Sequence, residues 1–508
     1  MSIFSTNPAT GAQRQLDMKE TTNSEVIAAT ERSRRAAADY ARRPLAWRAE
    51  MLHAMADELD ADSQNLVALA LDETALPLAR LQGELRRTSF QLRFFAGVVD
   101  DGAFLEASID HATDSPMGPL PDLRRMRGPL GAVAVFGSSN FPFAFSVPGG
   151  DTASALAAGC AVVIKAHPAH PATSAASFAA LQRGARRCAA PDDVLGLVFG
   201  LDAGIALVEA PGISAVGFTG SVHAGRALWE RANARKVPIP FYGELGAANP
   251  LVVTTSAAKE RAEEIGTTFA GSMTLGAGQF CTKPGLLFVP SGASGDALVG
   301  FIIEALHQLG EFTMLSAGIA TNFREGVTSI ASVEGARALV RPDLGGAAQT
   351  SAQLFEVDAT YFATPEARAL HEECFGPLAV VVRYATVDEL REALRASAPA
   401  LTFSVFASSD DPDAAALVDF GAERAGRVIV NGFPTGVGVS WSMQHGGPWP
   451  STTSSTTTSV GASAISRWLR PVAYQSVPND LLPLALQEDN PLAIPRRIDG
   501  SFQLGALR

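Results

Sequence analysis

Short apolar runs that end in small residues alternate with helical stretches over most of the chain, and this alternation constrains the fold more than any other feature. Between residues 129 and 220 the runs are GAVAVFG, CAVVIKA and SAVGFTG, and a second series follows with LLFVP, LAVVV, TFSVFA and RVIVNG. Strands that are buried on both faces and joined by helices form parallel sheets. The sequence therefore predicts an α/β protein with two parallel-sheet domains that meet near residue 248.

The regions outside these two series have other patterns. Residues 24–103 carry apolar residues about three and four apart, which predicts helices. Residues 105–128 are irregular and rich in proline, and beyond about residue 436 Ser, Thr, Gly and Pro dominate. This terminal part cannot form a core of its own, so we expect it to pack on another domain or subunit. The run STTSSTTTS within it is predicted to be a strand or a loop.

Composition and charge exclude several classes of protein. The net charge of −12 over 508 residues, with the basic residues spread along the chain, argues against nucleic-acid binding. The N-terminus has no signal-peptide pattern, and no apolar run approaches the roughly 18 residues of a membrane span, so a cytoplasmic protein without membrane contact is predicted.

No metal site is predicted either. The four cysteines form no CxxC pair, which argues against a disulfide framework and a cysteine zinc site. His167 and His170 each precede a proline, so they do not form a helical metal-binding pair. Three of the cysteines are assigned to packing: Cys160, Cys188 and Cys374.

Polar residues at the ends of the predicted strands are the first candidates for chemistry. Asn140 could donate its side-chain NH₂ to an oxyanion, although a turn or helix cap is the common role of such an asparagine. Lys165 could hydrogen-bond a ribose or a phosphate, or lie at the surface. The turn GFTGS, residues 217–221, leads into a helix whose free N–H groups favour a pyrophosphate.

Two further segments carry isolated reactive groups. Glu244 lies between glycines in PFYGELGAANP and is either a solvated loop carboxylate or a general base in a cleft. Cys281, in GAGQFCTKPG, is either a packing residue or a nucleophile that must become a thiolate to attack. Glu373 and Phe375, in HEECFGPLAVVV, could clasp a ribose and flank a nicotinamide, or simply precede a strand.

Taken together and in this order, these segments resemble the signatures of the aldehyde dehydrogenase superfamily: the strand-end Asn-Phe-Pro, the lysine after a strand, GFTGS, xELGGxxP, GQxCTxP and ExFGP. The resemblance runs from about residue 5 to the end of the chain. Within the superfamily, FGSSNFPFAFSVPGGDTASALAAGC, KAHPAHP, GQFCTKPG and NGFPTGV…HGGPWP resemble bacterial α-ketoglutarate semialdehyde (2,5-dioxopentanoate) dehydrogenases and NADP-linked fatty aldehyde dehydrogenases. The semialdehyde group is the nearer of the two.

The resemblance implies an aldehyde dehydrogenase-like fold with two Rossmann-like parallel-sheet domains and a small β oligomerisation element. Residues 1–104 and 129–247 would form the NAD(P)-binding domain, and residues 248–435 the catalytic domain. Residues 105–128 and 436–508 would form the oligomerisation element and the C-terminal tail. A homodimer, or a homotetramer built from two dimers, is expected.

The resemblance also implies a role for each candidate residue. Cys281 would attack the aldehyde, Asn140 and the Cys281 N–H would hold the oxyanion, and Glu244 would activate the water that hydrolyses the thioacyl enzyme. His445, in the HGGP segment, could approach Cys281 or be an ordinary loop histidine. The residues implied to bind the cofactor are Lys165, Gly217, Gly220, Ser221, Glu373 and Phe375.

The cofactor and the substrate are less constrained. Many NAD-preferring members carry a glutamate where this chain has Pro168, so NADP is expected to be preferred, and NAD stays open. The expected reaction is oxidation of α-ketoglutarate semialdehyde to 2-oxoglutarate, for which a helix offers cationic or amide partners to the substrate carboxylate. The members of this helical set are Arg86, Arg87, Gln91 and Arg93, and the alternative is that most of these arginines lie at the surface.

Other functions are also considered. Phe141, Phe143 and Phe145 could line an apolar tunnel for medium-chain, long-chain or aromatic aldehydes. A CoA-acylating member is a further alternative, although such members commonly lack the glutamate that stands here at 244. A catalytically silent structural protein is the last alternative. Lys283 has no role in the family pattern and is left unassigned.

Overall fold

The structure, a computed structural model, describes residues 1–505 and begins with a β-hairpin that is followed by four helices. The elements are β1 (Ser2–Thr6), β2 (Gln13–Lys19), α1 (Asn23–Tyr40), α2 (Leu45–Ala61), α3 (Ser63–Thr74) and α4 (Leu78–Asp101). A capping box starts α1: the Thr22 side chain accepts from the Glu25 N–H, and the Glu25 carboxylate accepts from the Thr22 N–H at 2.7 Å. The helices confirm the periodicity of residues 24–103.

Four short strands follow α4, in the segment whose sequence is irregular. They are β3 (Ser108–Asp110), β4 (Thr113–Ser115), β5 (Gly118–Leu120) and β6 (Leu123–Pro129). The first large sheet then begins, with β7 (Ala132–Phe136), α5 (Gly150–Ala158), β8 (Ala161–Lys165), α6 (Pro171–Arg187), β9 (Leu195–Val198), α7 (Leu201–Glu209), β10 (Val216–Thr219), α8 (Val222–Ala234) and β11 (Phe241–Glu244).

The strand order of this first sheet creates a ligand-binding edge. The order is β11-β10-β7-β8-β9, and all the pairs are parallel. From β7 the chain adds β8 and β9 on one side and then β10 and β11 on the other side. The direction of winding therefore reverses at β7. Ligands of open α/β sheets bind at such a switch point, beyond the carboxyl ends of the strands. Lys165 and Glu244 are the last residues of β8 and β11 and therefore lie at this edge.

The second large sheet lies C-terminal to the first. Its elements are β12 (Pro250–Val253), α9 (Thr255–Thr274), β13 (Leu286–Pro290), α10 (Ala293–His307), β14 (Phe312–Thr313), α11 (Ala317–Ala331), β15 (Arg337–Val340), β16 (Gln349–Thr350), β17 (Gln353–Asp358), α12 (Ala359–Phe362), β18 (Leu378–Tyr384), α13 (Val387–Ala396), β19 (Ala400–Phe406), α14 (Ala414–Arg424) and β20 (Ala425–Val430). The order is β15-β17-β18-β13-β12-β19-β20, and only β15 is antiparallel to its neighbour. The prediction of two parallel-sheet units is confirmed.

A third, smaller sheet joins the irregular segment to the C-terminal tail. The tail provides β21 (Leu469–Gln475), β22 (Arg496–Ile498) and β23 (Ser501–Gln503), and the sheet order is β21-β6-β3-β22-β23. Trp468, just before β21, is fully buried, and its indole N–H donates to Ser154 Oγ of α5 at 2.8 Å. The tail therefore packs on the unit of the first sheet. Among residues 1–505, no helix has both the length and the apolar character of a membrane span.

Candidate active site

The loop that carries Cys281 follows α9 and turns sharply. Gly276, Ala277 and Gly278 have φ angles of 59°, 58° and 64°, in the left-handed region that glycine tolerates best. A Cβ atom on Gly278 would collide with the carbonyl of Gly376. Two of the glycines around Cys281 therefore serve the turn, which brings the cysteine back toward the edge of the first sheet.

Asn249 fixes the backbone on either side of the cysteine. Its Nδ2 donates to the carbonyl oxygens of Cys281 at 2.7 Å and Lys283 at 3.1 Å, and its Oδ1 accepts from the Thr402 N–H at 3.1 Å. Asn249 itself has a φ of 47°. Sequence reasoning missed this residue, although an asparagine directly before the proline of a strand, within a segment already singled out, was a signal that could have been used.

Lys283 has a structural role. Its Nζ donates to the carbonyl oxygens of Cys374 at 2.8 Å, Gly376 at 3.0 Å and Leu378 at 2.7 Å. Burial lowers the pKa of this ammonium, and the three carbonyls satisfy its donors. Lys283 therefore ties the cysteine loop to the segment that leads into β18.

Cys281, His445 and Glu244 meet in one cluster. The Cys281 Sγ lies 3.5 Å from the His445 Nε2, and the same nitrogen lies 3.0 Å from Glu244 Oε1. The other carboxylate oxygen of Glu244 accepts a hydrogen bond from the Ser459 hydroxyl. His445 and Glu244 are both buried, whereas Cys281 is half-buried at the cleft wall. The structure thus brings together the three residues that the sequence named separately.

The pKa shifts in the cluster make Cys281 a proton donor and Glu244 a proton acceptor. Burial raises the pKa of the Cys281 thiol well above its ordinary value, and the carboxylates of Glu244 and Glu373 raise it further. Burial also acts to raise the pKa of Glu244, but His445 and the hydrogen bonds around the carboxylate outweigh it and the net shift is downward. The thiol is therefore neutral at rest beside an ionised carboxylate, and it needs a base before it can attack.

The Ser/Thr-rich run of the tail holds this base in place. The Ser451 carbonyl accepts from the Leu245 N–H at 2.8 Å, directly after Glu244. The Thr458 hydroxyl accepts from the His445 N–H at 2.8 Å, and the Ser459 N–H donates to the His445 carbonyl at 2.8 Å. The sequence predicted a strand or a loop here, and the segment is a loop with one bridge, Glu244 to Thr452. Composition carried no signal that Ser459 would contact Glu244.

Asn140 lies beside the cysteine loop, and a hydrogen bond to that loop fixes the orientation of its side-chain amide. Its Nδ2 donates to the Gln279 carbonyl at 2.9 Å, and its own carbonyl accepts from Arg80 Nη2 at 2.6 Å. Within residues 1–505 the backbone N–H of Cys281 has no hydrogen-bond acceptor. An amide with one hydrogen still available and a free backbone N–H can both donate to one oxygen atom near Sγ.

A cleft of about 1480 Å³ opens from this cluster along the edge of the first sheet. It is large enough for an extended dinucleotide. Predicted site residues that line it are Asn140, Lys165, Gly220, Ser221, Glu244, Cys281, Glu373 and Phe375. His445 is fully buried behind Cys281.

Gly217 corrects the prediction made for the GFTGS turn. It lies inside β10, and a Cβ atom there would come within 2.6 Å of the Asp151 carboxylate and 2.8 Å of the Trp468 ring. Its lack of a side chain serves packing against α5 and the tail, so it does not reach the cleft. Successive residues of a strand face opposite sides of the sheet, which motif spacing alone does not resolve.

The cleft residues have the properties of a dinucleotide site. Lys165 is only 7% exposed, and in the described part of the chain its Nζ finds no hydrogen-bond acceptor. Burial lowers its pKa to about 8, so it remains largely an ammonium at neutral pH. Ser221 caps α8 by accepting from the Ala224 N–H at 3.2 Å, at a helix N-terminus where phosphate binds well. Burial raises the pKa of Glu373 to about 7.

Glu244, Cys281 and His445 could also hold a metal ion. One ligand atom from each lies within 4.8 Å of the others, and in residues 1–505 this is the single such group of three. Sulfur, imidazole nitrogen and carboxylate oxygen are all zinc ligands. The sequence predicted no metal site, and the same three atoms form the nucleophile and base described above.

Comparison with known proteins decides which chemistry this site belongs to. The profile of the aldehyde dehydrogenase family matches residues 2–470. The chain belongs to the aldehyde dehydrogenase family. Alpha-ketoglutaric semialdehyde dehydrogenase 2 of Azospirillum brasilense is 47% identical over 505 residues, which are 98% of this chain and 94% of that protein. Alpha-ketoglutaric semialdehyde dehydrogenase of Acinetobacter baylyi is 40% identical over 459 residues, 89% of this chain and 86% of that protein.

Solved structures support the same fold. Methylmalonate-semialdehyde dehydrogenase (DddC) from Oceanimonas doudoroffii superposes with a TM-score of 0.79 at 23% identity, covering 94% of this chain and 95% of that chain. NADP-dependent glyceraldehyde-3-phosphate dehydrogenase from Bacillus halodurans C-125, complexed with NADP, gives 0.78 at 22% identity, with 94% and 96% covered. This aldehyde dehydrogenase is therefore an oxidoreductase that acts on aldehydes, in a family that uses NAD(P)⁺.

Some of the residues predicted to contact the substrate lie at the site, and others lie at the surface or in the core. Arg93 forms ion pairs of 2.8 Å with Asp57 and Asp60, and Arg86 is exposed, so neither reaches the cleft. Phe143 is fully buried in the core, which removes it from the predicted tunnel. Phe141 and Phe145 do line the cleft. Arg87 lies beside Phe145, with its guanidinium carbon 5.1 Å from the ring centroid.

Proposed function

We propose that this aldehyde dehydrogenase oxidises α-ketoglutarate semialdehyde to 2-oxoglutarate with water as the acyl acceptor. The observation that carries the proposal is 47% identity along 98% of the chain to a protein named for that substrate. The cluster of Cys281, Glu244 and His445 beside Asn140 supports a hydrolytic, cysteine-dependent mechanism.

The first step is attack of Cys281 on the aldehyde. The sulfur forms a bond to the carbonyl carbon, and the thiol proton passes to the Glu244–His445 pair, whose nearest atom is the imidazole nitrogen 3.5 Å from Sγ. The carbonyl oxygen becomes an oxyanion, held by the Asn140 amide and the Cys281 N–H. Donors that are already oriented stabilise this charge without reorganisation during the reaction.

NAD(P)⁺, when bound, supplies the acceptor for the hydride that leaves the thiohemiacetal. The residues that would hold it are Lys165 and Glu373 at the ribose rings, Gly220 and Ser221 at the pyrophosphate, and Phe375 near the nicotinamide. A buried ammonium without an acceptor, a capped helix N-terminus and a long cleft fit such a ligand. The enzyme is then left as a thioester of Cys281.

Hydrolysis of this thioester restores the enzyme. After the first proton has passed to solvent, Glu244 accepts a proton from a water molecule, and the hydroxide attacks the thioester carbon. The bond to sulfur then breaks, the sulfur leaves as a thiolate, and the proton of the acid restores the Cys281 thiol as the carboxylate is released. Glu244 suits this task because its carboxylate is ionised and close to Sγ. An ionised glutamate here also disfavours the CoA-acylating alternative.

NADP⁺ is the cofactor that we propose to be preferred. Pro168 lies on the cleft wall near Lys165 and offers no carboxylate to repel a 2′-phosphate or to bind a 2′-hydroxyl. The carboxylates that line the cleft are Glu244 and Glu373. A KM for NAD⁺ below that for NADP⁺, measured with the same aldehyde, would contradict the preference.

The remaining assignments follow the family resemblance. Residues 1–104 and 129–247 are proposed as the NAD(P)-binding domain, residues 248–435 as the catalytic domain, and residues 105–128 and 436–508 as the oligomerisation element and tail. We propose a cytoplasmic homodimer or homotetramer that uses the third sheet as its interface. Light scattering of the purified enzyme tests the assembly, and a monomer would contradict it.

The substrate is tested by comparing specificity constants for α-ketoglutarate semialdehyde and hexanal, without CoA and with either cofactor. We expect the semialdehyde to be preferred. Phe141 and Phe145 on the cleft wall favour the second candidate function, oxidation of medium-chain, long-chain or aromatic aldehydes by NADP⁺. A preference for hexanal would select that function and contradict the proposal.

A further inference from the structure

One face of α4 runs along the segment that follows Asn140. Arg80, Glu84, Arg87 and Gln91 are three or four residues apart, so the helix places them on the same side. Arg80 donates to the Asn140 carbonyl at 2.6 Å, and Glu84 accepts from the Phe143 and Ala144 N–H groups at 2.8 and 3.0 Å. This face therefore lies directly behind the segment from which Asn140, Phe141 and Phe145 line the cleft.

On this face, where Arg80 Nη1 and Gln91 Nε2 are buried without a partner among the described residues, Arg87 makes only two hydrogen bonds. Its Nη2 donates to the Val437 carbonyl at 3.3 Å and its Nη1 to Gln91 Oε1 at 3.4 Å, both long hydrogen bonds. Its guanidinium lies over the Phe145 ring, and that ring is 6.4 Å from the His445 imidazole between centroids. Arg87 is thus separated from the catalytic cluster by one aromatic side chain.

Arg427, on β20, approaches the same segment from the second sheet. It donates to the Gly436 carbonyl at 3.0 Å and also to the Pro434 carbonyl. Its Nε is buried and has no hydrogen-bond partner in the part of the chain that the structure describes. The Gly436 N–H reaches the hydroxyl of Thr282, the residue after the nucleophile, at 3.4 Å.

The two arginines therefore flank residues 434–437 close to Cys281, and their hydrogen bonds go to carbonyl and amide oxygens, not to carboxylates. Burial lowers the pKa of each guanidinium, and the Glu84 carboxylate acts in the opposite direction on the pKa of Arg87. Neither guanidinium forms an ion pair in residues 1–505, although Glu84 is an electrostatic neighbour of Arg87, so both can still pair with an incoming anion. The charged group that a semialdehyde acid brings into this space is its carboxylate.

We propose that Arg87 and Arg427 bind the carboxylate at the end of the substrate remote from the aldehyde. This inference rests on the proposed function. It assigns the preference for semialdehyde acids to one arginine on α4 and one on β20 of the second sheet. Phe141 and Phe145 contact the carbon chain between the two ends. The planar guanidinium of each arginine can pair with a carboxylate through two parallel hydrogen bonds.

The alternative for both arginines is a purely structural role in holding residues 434–437. Arg87→Gln and Arg427→Gln in the full-length enzyme separate the two roles. The matched control is Arg86→Gln, at the neighbouring exposed arginine of α4. Specificity constants are measured for α-ketoglutarate semialdehyde and for hexanal, and binding is measured as competitive inhibition by glutarate.

We expect each site variant to lose about 10- to 100-fold in kcat/KM for the semialdehyde and less than about 3-fold for hexanal. Inhibition by glutarate should weaken in parallel, Arg87→Lys should recover part of the loss, and the control should match wild type. Equal losses for both aldehydes, or an unchanged preference and unchanged glutarate inhibition, would overturn the proposal.

Failure of the proposed function gives a different result. A wild-type enzyme that prefers hexanal contradicts the substrate assignment, and glutarate then tests the carboxylate site by itself. Weaker inhibition in both glutamine variants, with normal hexanal turnover, supports the site. Inhibition equal to that of wild type overturns it.

Discussion

The cleft has two ends that are built differently. At the reaction end, formed by Cys281, Glu244, His445 and Asn140, the protein itself partners the reactive groups: Ser459 holds Glu244, and the Gln279 carbonyl holds the Asn140 amide. At the proposed cofactor end, with Lys165, Ser221, Glu373 and Phe375, the Lys165 ammonium has no hydrogen-bond acceptor in residues 1–505. The fold therefore prepares the chemistry in advance and leaves the binding of the cofactor to be completed by the ligand.

This difference predicts that variants of the two ends change different kinetic constants. Changes at the reaction end should lower kcat, because they disturb groups that act in the transition state. Changes at the cofactor end should raise the KM for NADP⁺ and leave kcat nearly unchanged.

The largest effect is expected for Cys281→Ala. Without the sulfur no thiohemiacetal forms, so aldehyde oxidation should fall by a factor of about 10⁴ or more. Reduction of NADP⁺ is followed by absorbance, and NADP⁺ binding, measured by fluorescence titration, should stay close to wild type. Cys160→Ala, at a fully buried cysteine in the core, serves as the control. Retention of substantial activity in Cys281→Ala would break the distinction between the two ends.

Lys165→Ala, at the proposed cofactor end of the cleft, should have the next largest effect. Loss of the ammonium removes charge-assisted hydrogen bonds to the cofactor, worth about 1.5 to 3 kcal/mol, so the KM for NADP⁺ should rise about 10-fold or more. The value of kcat at saturating NADP⁺ should change little. A fall in kcat with an unchanged KM would show that Lys165 acts at the reaction end.

The pH dependence of cofactor binding should report the same lysine. Because burial places the pKa of Lys165 at about 8, the ammonium is present below this pH and is lost as the pH rises through it. Binding of NADP⁺ should therefore weaken between about pH 8 and 10, by up to about 10-fold. Glu373, with a pKa of about 7, has already ionised in this range. Titrations in the Cys281→Ala background exclude changes in thiol ionisation, and Lys165→Arg should bind independently of pH.

The smallest effect is expected for Ser459→Ala. It removes one hydrogen bond to the Glu244 carboxylate while the contact with His445 remains, so kcat should fall about 3- to 10-fold with little change in the KM for NADP⁺. Ser454→Ala, in the same loop, is the matched control because its side chain makes no contact with Glu244. A change in cofactor KM would contradict the assignment of Ser459 to the reaction end.

Sequence reasoning succeeded where one local pattern determines the structure. The runs at Ala132–Phe136 and Leu286–Pro290 are apolar throughout, Ala161–Lys165 is apolar up to its final lysine, and each is a buried parallel strand. Residues at strand ends, such as Lys165 and Glu244, could be expected to meet because the carboxyl ends of parallel strands share one edge.

It failed where a contact joins distant parts of the chain. Strands β6 and β21 pair over seven residues although more than 300 positions separate them, and neither has the alternating pattern of an isolated strand. Ser459 meets Glu244 across 215 positions, and Asn249 reaches Cys281 across 32. Hydrogen bonds of this kind depend on how the whole fold closes, and no local periodicity reports them.

Pre-steady-state kinetics of Glu244→Gln test the central claim, that the reaction end is a preformed nucleophile and base, most directly. The glutamine cannot take a proton from water, but Cys281, His445 and Asn140 remain, so acylation can still occur. Rapid mixing with aldehyde and NADP⁺ should give a burst of about one reduced cofactor per active site, followed by slow steady turnover, while wild type shows no such contrast. Steady turnover at the wild-type rate, or the absence of any burst, would contradict the account.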